Sequence, residues 1–194
     1  MDSKKLAYNR EEMLKLNLEA LKSRGGVTID DIAEIAYRQQ SKYYPDVSYQ
    51  LCYESVEKIL TFRDVFHHIQ FASGVDRLAE EKAFKGPIQD ILYYDYGLFG
   101  LDEVLGLDVA CLYGAIGQTN FGDIDVNKRG IVDKLNSEGK KDGVVHTLMD
   151  DIVGSIAAAA STRVAQVMNE DAAMENPGYH KVNLFEELEG KKDK

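Results

Sequence analysis

Val144-Val145-His146-Thr147-Leu148-Met149-Asp150-Asp151-Ile152-Val153-Gly154-Ser155-Ile156-Ala157-Ala158-Ala159-Ala160 is the stretch on which the fold turns. Read from residue 144 to about residue 168, it predicts a helix that is apolar nearly all round. Such a helix belongs at the centre of a fold, not on its surface. Ala157 to Ala160 permit close packing against it. Two adjacent acids interrupt this apolar run. Ionised carboxylates buried there are costly unless something neutralises them.

The same pattern occurs upstream, in Leu101-Asp102-Glu103-Val104-Leu105-Gly106: an apolar residue, two acids, two apolar residues, then glycine. Adjacent residues on a helix point about 100° apart. One acid of each pair can therefore bind an ion while its neighbour reaches a second ion or a donor. Gly106 and Gly154 lie one turn beyond Asp102 and Asp150, where a missing side chain admits another helix or a phosphate. A divalent cation between two such helices neutralises the acids, and hard cations prefer carboxylates. The residues thus point to a metal-dependent, phosphate-handling site. Helix-start acids with packing glycines are the plainer alternative, which suits Asp102-Glu103, near a bend, better than Asp150-Asp151.

Outward from this centre the chain reads as helices. Residues 9–23 carry Met13, Leu14, Leu16, Leu18 and Leu21 at helix-like intervals, and Gly25-Gly26 stops them. Thr28 caps a second helix whose Asp30 and Asp31 suit the positive end of the helix dipole. Glu34 and Arg38 can pair on its outer side. Ser48 caps a third helix, through Leu51, Val56, Ile59 and Leu60. A fourth spans 63–82 with Val65, Phe66, Ile69, Val75 and Leu78 inward, and Pro87 opens a fifth to about Tyr94. The Asp102 helix is expected to continue through Cys111 to Ile116. A loop rich in Gly, Asn and Asp then covers 117–130, a short helix 131–135, and a charged loop 137–143. No run alternates as a strand. The expectation is all-α: a single-domain multi-helix bundle around the Asp-Asp helix, with an N-terminal helical extension at 1–26, the main domain at 27–170 and a tail at 171–194.

The chain has 194 residues and a net charge of −10, with no basic face for a nucleic-acid backbone. Cys52 and Cys111 read as reduced core residues. There is no signal-peptide pattern, and the apolar runs are shorter than a membrane span and carry acids. This predicts a cytoplasmic protein that meets lipid only peripherally, at the inner face of the membrane. Tyr43-Tyr44 and Lys128-Arg129 are the candidate contacts, with packing or a homo-oligomer contact as the other reading of the tyrosines.

Asp95 precedes Asp102 by a glycine-bearing bend that could fold it back toward the same ion. Lys128 and Arg129 are the nearest cations able to meet phosphate oxygens that a metal leaves uncovered. His67 and His68 diverge on a helix and cannot share one ion. No Walker A loop, catalytic triad or His-Glu-x-x-His motif is present.

Taken together, Asp95-x6-Asp102-Glu103-Val104-x-Gly106, Ile124-Asp125-x-x-Lys128 and Asp150-Asp151-x-x-Gly154 resemble the phosphatidylglycerophosphatase A family, and in particular its branch without membrane spans. Tyr96, Ile124 and Arg129 stand where the family pattern has Pro, Phe and Pro. The resemblance implies a Mg²⁺-dependent phosphatase (Mn²⁺ being the other candidate ion) that converts phosphatidylglycerophosphate to phosphatidylglycerol and phosphate. It assigns metal binding to Asp95, Asp102, Glu103, Asp150 and Asp151, the last four also catalytic. Asp125 and Lys128 match the middle motif and, with Arg129, are the candidate substrate contacts. The substrate is expected to be a phosphorylated glycerolipid or a small phosphomonoester. Two other classes remain open: a non-catalytic metal-binding or interaction protein, and an all-α nucleotide pyrophosphohydrolase, for which Glu54 and Glu57 have the ligand spacing.

Overall fold

A computed structural model describes residues 8–97 and 99–175, and every regular element among them is helical. The first three helices are α1 (Arg10–Ser23), α2 (Ile29–Gln40) and α3 (Tyr49–Leu60). Each begins where a side chain satisfies a free amide of its first turn. Asn9 and Glu12 form a reciprocal capping box on α1, as Thr28 and Asp31 do on α2. Ser48 Oγ accepts from the Leu51 amide on α3. Asp31 is thus occupied by capping, and the expected Arg38–Glu34 pair forms at 2.6 Å.

Then come α4 (Arg63–Glu80), α5 (Pro87–Tyr93) and α6 (Leu101–Ala110). Pro87 sits in the first turn of α5, as its missing amide allows. On α4, Val65, Phe66 and Ile69 are buried as expected, but Leu78 is 40% exposed. Ala72, Asp76 and Ala79 take the inner face instead. Over the second half of α4 the apolar residues mark the stripe one residue early, because the true inner positions there include a carboxylate.

Three further expectations change. The Asp102 helix ends at Ala110 and passes through a 3₁₀ turn, Cys111–Tyr113, rather than running to Ile116. The stretch expected as a loop at 117–130 is mostly helix α7 (Ile116–Asn127), followed by α8 (Ile131–Glu138). Gly117 there serves packing, as Gly106 does on α6. A Cβ on Gly117 would lie 1.8 Å from the Ala110 carbonyl oxygen, and one on Gly106 would lie 2.6 Å from the Phe121 ring. So α6 and α7 close together only because those positions lack side chains.

Finally, α9 (Met149–Met174) starts five residues later than expected, and 144–148 enter it as non-helical chain. Asp150 and Asp151 therefore stand in its first turn rather than deep inside it. The helix is nonetheless the centre of the bundle, packed by α2, α3, α4, α6, α7 and α8. Ile152 to Thr162 are all buried, and Val153, Ile156 and Ala157 to Ala160 are wholly screened from solvent. Burying each large aliphatic side chain contributes about 1.5–3 kcal/mol. Helix α1 joins the same core through Leu21, and Asn17 donates to the Leu60 carbonyl at 2.9 Å. The tail beyond residue 175 lies outside the described residues. No helix among them is long and apolar enough to cross a membrane. Cys52 and Cys111 are free thiols, with Cys52 buried.

Candidate functional site

The two acidic motifs meet because both open helices that run against each other. Helix N-termini carry unpaired amides and partial positive charge, a favourable setting for carboxylates. Asp102 and Glu103 lie in the first turn of α6, Asp150 and Asp151 in the first turn of α9. Between them is a cleft of about 240 Å³, lined by Asp95, Tyr96, Asp102, Glu103, Asp125, Lys128, Asn136, Thr147, Asp150 and Asp151, with Gly97. Among the described residues, six carboxylates thus face one ammonium. Asp102, Asp150 and Asp151 are buried, at 6%, 5% and 4% exposure.

Oxygens of Asp102, Glu103 and Asp151 lie within 4.8 Å of one another, close enough to share one ion. Glu103 Oε2 is buried with no hydrogen-bond partner. Buried polar atoms are rarely left unpaired, and this one belongs to a cluster of carboxylates whose oxygens are of the kind that suits Mg²⁺ or Mn²⁺. The acids present therefore fit a divalent cation. Gly106 and Gly154 admit helix α7 rather than a phosphate, since Phe121 and Ile124 stand against them.

Burial and the excess of negative charge shift the ionisation of these groups. Burial pushes the Asp102 carboxyl up, reinforced by the side-chain hydrogen bond to Glu103 and its charge. That same bond, from Asp102, holds Glu103 below the usual range. Burial also raises Asp150 and Asp151, and Asp150 raises Asp151 further. Asp95 is raised by burial too. Lys128 shifts up although burial opposes it, because Asp150, Asp125 and Asp151 surround it. Its ammonium donates to Asp125 at 2.8 Å and to Asp150 at 3.2 Å, and stands 3.7 Å from Asp151.

Two lining residues occupy backbone conformations unusual for a side chain. Asp95 has φ +47° on the bend before α6, and Lys128 has φ +32° at the end of α7. Such geometry costs on the order of 1–3 kcal/mol, held in place by surrounding structure, and clusters at functional sites. The bend does fold Asp95 back to the cleft.

Arg129 is separated from the cleft. Its guanidinium turns outward to Asp123 at 3.4 Å, where both are partly exposed. One residue further along the turn that carries Lys128 inward, the chain faces solvent. Glu54 and Glu57 are exposed on α3, and Glu54 accepts from Gln50. They form no second acidic centre among the described residues. His68 binds Asp108 and the Asp64 carbonyl, away from the cleft. Tyr96, Asn136 and Thr147 are the lining side chains that sequence reasoning missed. They arrive from three separate segments; Tyr96 follows Asp95 within the first motif, and no motif marks Asn136 or Thr147.

The chain is similar to several known proteins. The chain is 40% identical over 158 residues to the uncharacterized protein YpjQ of Bacillus subtilis (strain 168), spanning 81% of this chain and 87% of YpjQ. It is 44% identical over 140 residues to the uncharacterized protein YutG of the same organism, spanning 72% and 83%. The crystal structure of low temperature requirement C protein from Listeria monocytogenes superposes with a TM-score of 0.77 at 41% identity, covering 81% of this chain and 97% of that one. The family model for Phosphatidylglycerophosphatase A matches residues 47–166, which takes in every acid of the cleft, and the chain belongs to that family.

Proposed function

We propose that the protein is a Mg²⁺-dependent phosphomonoester hydrolase acting on phosphatidylglycerophosphate, releasing inorganic phosphate and leaving phosphatidylglycerol. The observation that carries this reading is the convergence of Asp102, Glu103 and Asp151 carboxylates, with Glu103 Oε2 buried and without a hydrogen-bond partner, in a member of the phosphatidylglycerophosphatase A family. Asp102, Glu103 and Asp151 would hold the cation, with Asp150 and Asp95 beside them. A bound divalent cation supplies Lewis-acid polarisation of the phosphoryl group and lowers the pKa of a coordinated water.

The chain's own residues do the rest. Lys128, fixed by Asp125 and Asp150, presents the cleft's one ammonium to the remaining phosphoryl charge. Asp125 thereby acts on the substrate through Lys128. Burial on the floor of the cleft keeps bulk water from the acids and strengthens each charge interaction. The α5–α6 connection and the start of α6 carry exposed Tyr94, Tyr96, Leu101 and Val104, at 68%, 64%, 57% and 59% exposure. Aromatic and aliphatic side chains beside the cleft suit peripheral contact with a membrane. In the Tyr43-Tyr44 turn, Tyr44 packs against the core while Tyr43 is 72% exposed, so that Tyr43 is a second candidate contact.

The test is phosphate release from phosphatidylglycerophosphate vesicles and from a water-soluble phosphomonoester, with Mg²⁺ and with chelator. Mg²⁺-dependent release from the lipid is expected. Release from the soluble ester alone, with the protein left in the supernatant of sedimented vesicles, would retain the phosphatase and reject the lipid. Pyrophosphate from a nucleotide, or no product from any substrate, would reject the phosphatase.

A further inference from the structure

Asp76 lies on the inner face of α4, wholly screened from solvent and outside the cleft lining. Its Oδ1 accepts from the Leu148 amide at 3.1 Å and its Oδ2 from the Met149 amide at 3.0 Å. One helical turn on, Glu80 accepts from the Val145 amide at 2.9 Å. Arg24, at the end of α1, donates two bonds of 2.8 Å to Glu80 and a third to the Val145 carbonyl. The Thr147 hydroxyl donates to the Leu92 carbonyl at 2.6 Å. Residues 145–149 are therefore gripped from several sides immediately before the Asp-Asp pair.

A helix start leaves amides that its own turn cannot satisfy, and a Ser, Thr, Asp or Asn just before the helix ordinarily takes one. Here that position is Leu148, which has no acceptor. The carboxylate of another helix, 72 residues away in sequence, takes two amides at once. Both oxygens of Asp76 are used, so the clamp fixes direction as well as place. What it directs is the first turn of α9, from which Asp150 and Asp151 project.

We propose that Asp76 is a positioning residue for the metal site, setting Asp151 against Asp102 and Glu103 by holding the Leu148 and Met149 amides. This rests on the metal reading of the cleft given above. Partners that orient metal ligands are typically worth about 10–100-fold in affinity. An asparagine could not replace Asp76 fully, because its amide offers one acceptor oxygen for two donors.

The experiment is calorimetric titration of Mg²⁺ into the wild type, Asp76→Asn, Asp76→Glu and Val65→Ala. Each is held at a temperature where circular dichroism shows it folded. Amide hydrogen exchange at Leu148 and Met149 is read in the metal-free proteins. Asp76→Asn is expected to bind Mg²⁺ about 10–100-fold more weakly, with faster exchange at these amides. Asp76→Glu, which restores the second oxygen, is expected to recover part of the affinity. Val65→Ala, a core truncation on the same helix, is expected to keep wild-type affinity. Wild-type affinity in Asp76→Asn, or an equal loss in Val65→Ala, overturns the proposal. No Mg²⁺ binding by the wild type itself rejects the metal reading and this inference with it. Should Asp76→Asn not fold, Glu80→Gln at the more exposed end of the clamp takes its place. A smaller loss of Mg²⁺ affinity there supports the proposal, and unchanged affinity overturns it.

Discussion

The two acidic motifs share a sequence pattern but stand in different mechanical settings. Helix α9 enters its motif through a segment clamped by Asp76, Glu80 and Arg24, and its first fourteen residues, Met149 to Thr162, are all buried, both acids included. Helix α6 enters through Gly100, at φ +77°, which has no side chain to cap it, so that its own Asp102 Oδ1 takes the Glu103 amide at 3.1 Å. Its motif alternates between the cleft and solvent, since Leu101 and Val104 are exposed while Asp102 is buried. The Asp-Asp pair is thus a fixed wall, and the Asp-Glu pair is the wall attached to a bend. Two like motifs supply ligands of one kind, but the packing behind them decides how firmly each is held.

This contrast can be broken most sharply at the ligands. Asp151→Asn should lower phosphate release by on the order of 10²–10³-fold, a loss like that of one preorganised electrostatic group. Steady-state rates at saturating Mg²⁺ would measure it. Activity near wild type would show that the α9 wall does not hold the ion.

Metal should also stabilise the fold, and by more as pH rises. Burial raises Asp102, Asp150 and Asp151 above their unfolded range. A carboxyl with a raised folded pKa contributes stability below its unfolded pKa and loses it as pH rises through the folded value. The metal-free protein should therefore weaken from mildly acid toward neutral pH and above. A cation favours the ionised forms and offsets that loss. At a hundredfold excess over Kd the gain is about 2.7 kcal/mol. Thermal unfolding with and without Mg²⁺ at pH 5.5 and 8 should show the larger shift at pH 8, and an equal shift at both would contradict the buried-acid account.

The glycines one turn beyond the acids sharpen the comparison further. A Cβ on Gly106 would meet the Phe121 ring at 2.6 Å, whereas one on Gly154 would meet Ile124 Cγ2 at 3.3 Å. Gly106→Ala should cost about 1–3 kcal/mol by overpacking, and Gly154→Ala less. Denaturant midpoints would rank them, and the reverse order would mean that α6 yields more easily than α9.

The smallest effect belongs to the third acidic pair, Asp30-Asp31. Thr28→Ala removes the acceptor for the Asp31 amide and should cost about 1 kcal/mol. It should leave Mg²⁺ affinity untouched, because this pair caps α2 and does not face the cleft. A change in calorimetric affinity would count against that separation.

What the sequence determined by itself was local or compositional. Thr28, Ser48 and Pro87 mark helix starts through groups that act within one turn, so their reading needs no knowledge of the rest of the chain. The all-apolar stretch ending in Ala157 to Ala160 required burial, and its acids required a partner. Tertiary structure decided what those signals leave open. Gly117, Gly122 and Asn127 carry loop chemistry, yet α7 is helical: Gly117 lets it press against the end of α6, its Phe121 and Ile124 stand against Gly106 of α6 and Gly154 of α9, and packing overrides weak propensity. The start of α9 was likewise set from outside: an acceptor on α4 ends the entering segment at Leu148, and no residue near Asp150 announces it. Asn136, Thr147 and Tyr96 reach the cleft from separate segments for the same reason. Side chains brought together by packing have no fixed spacing along the chain, so only the folded molecule assembles them.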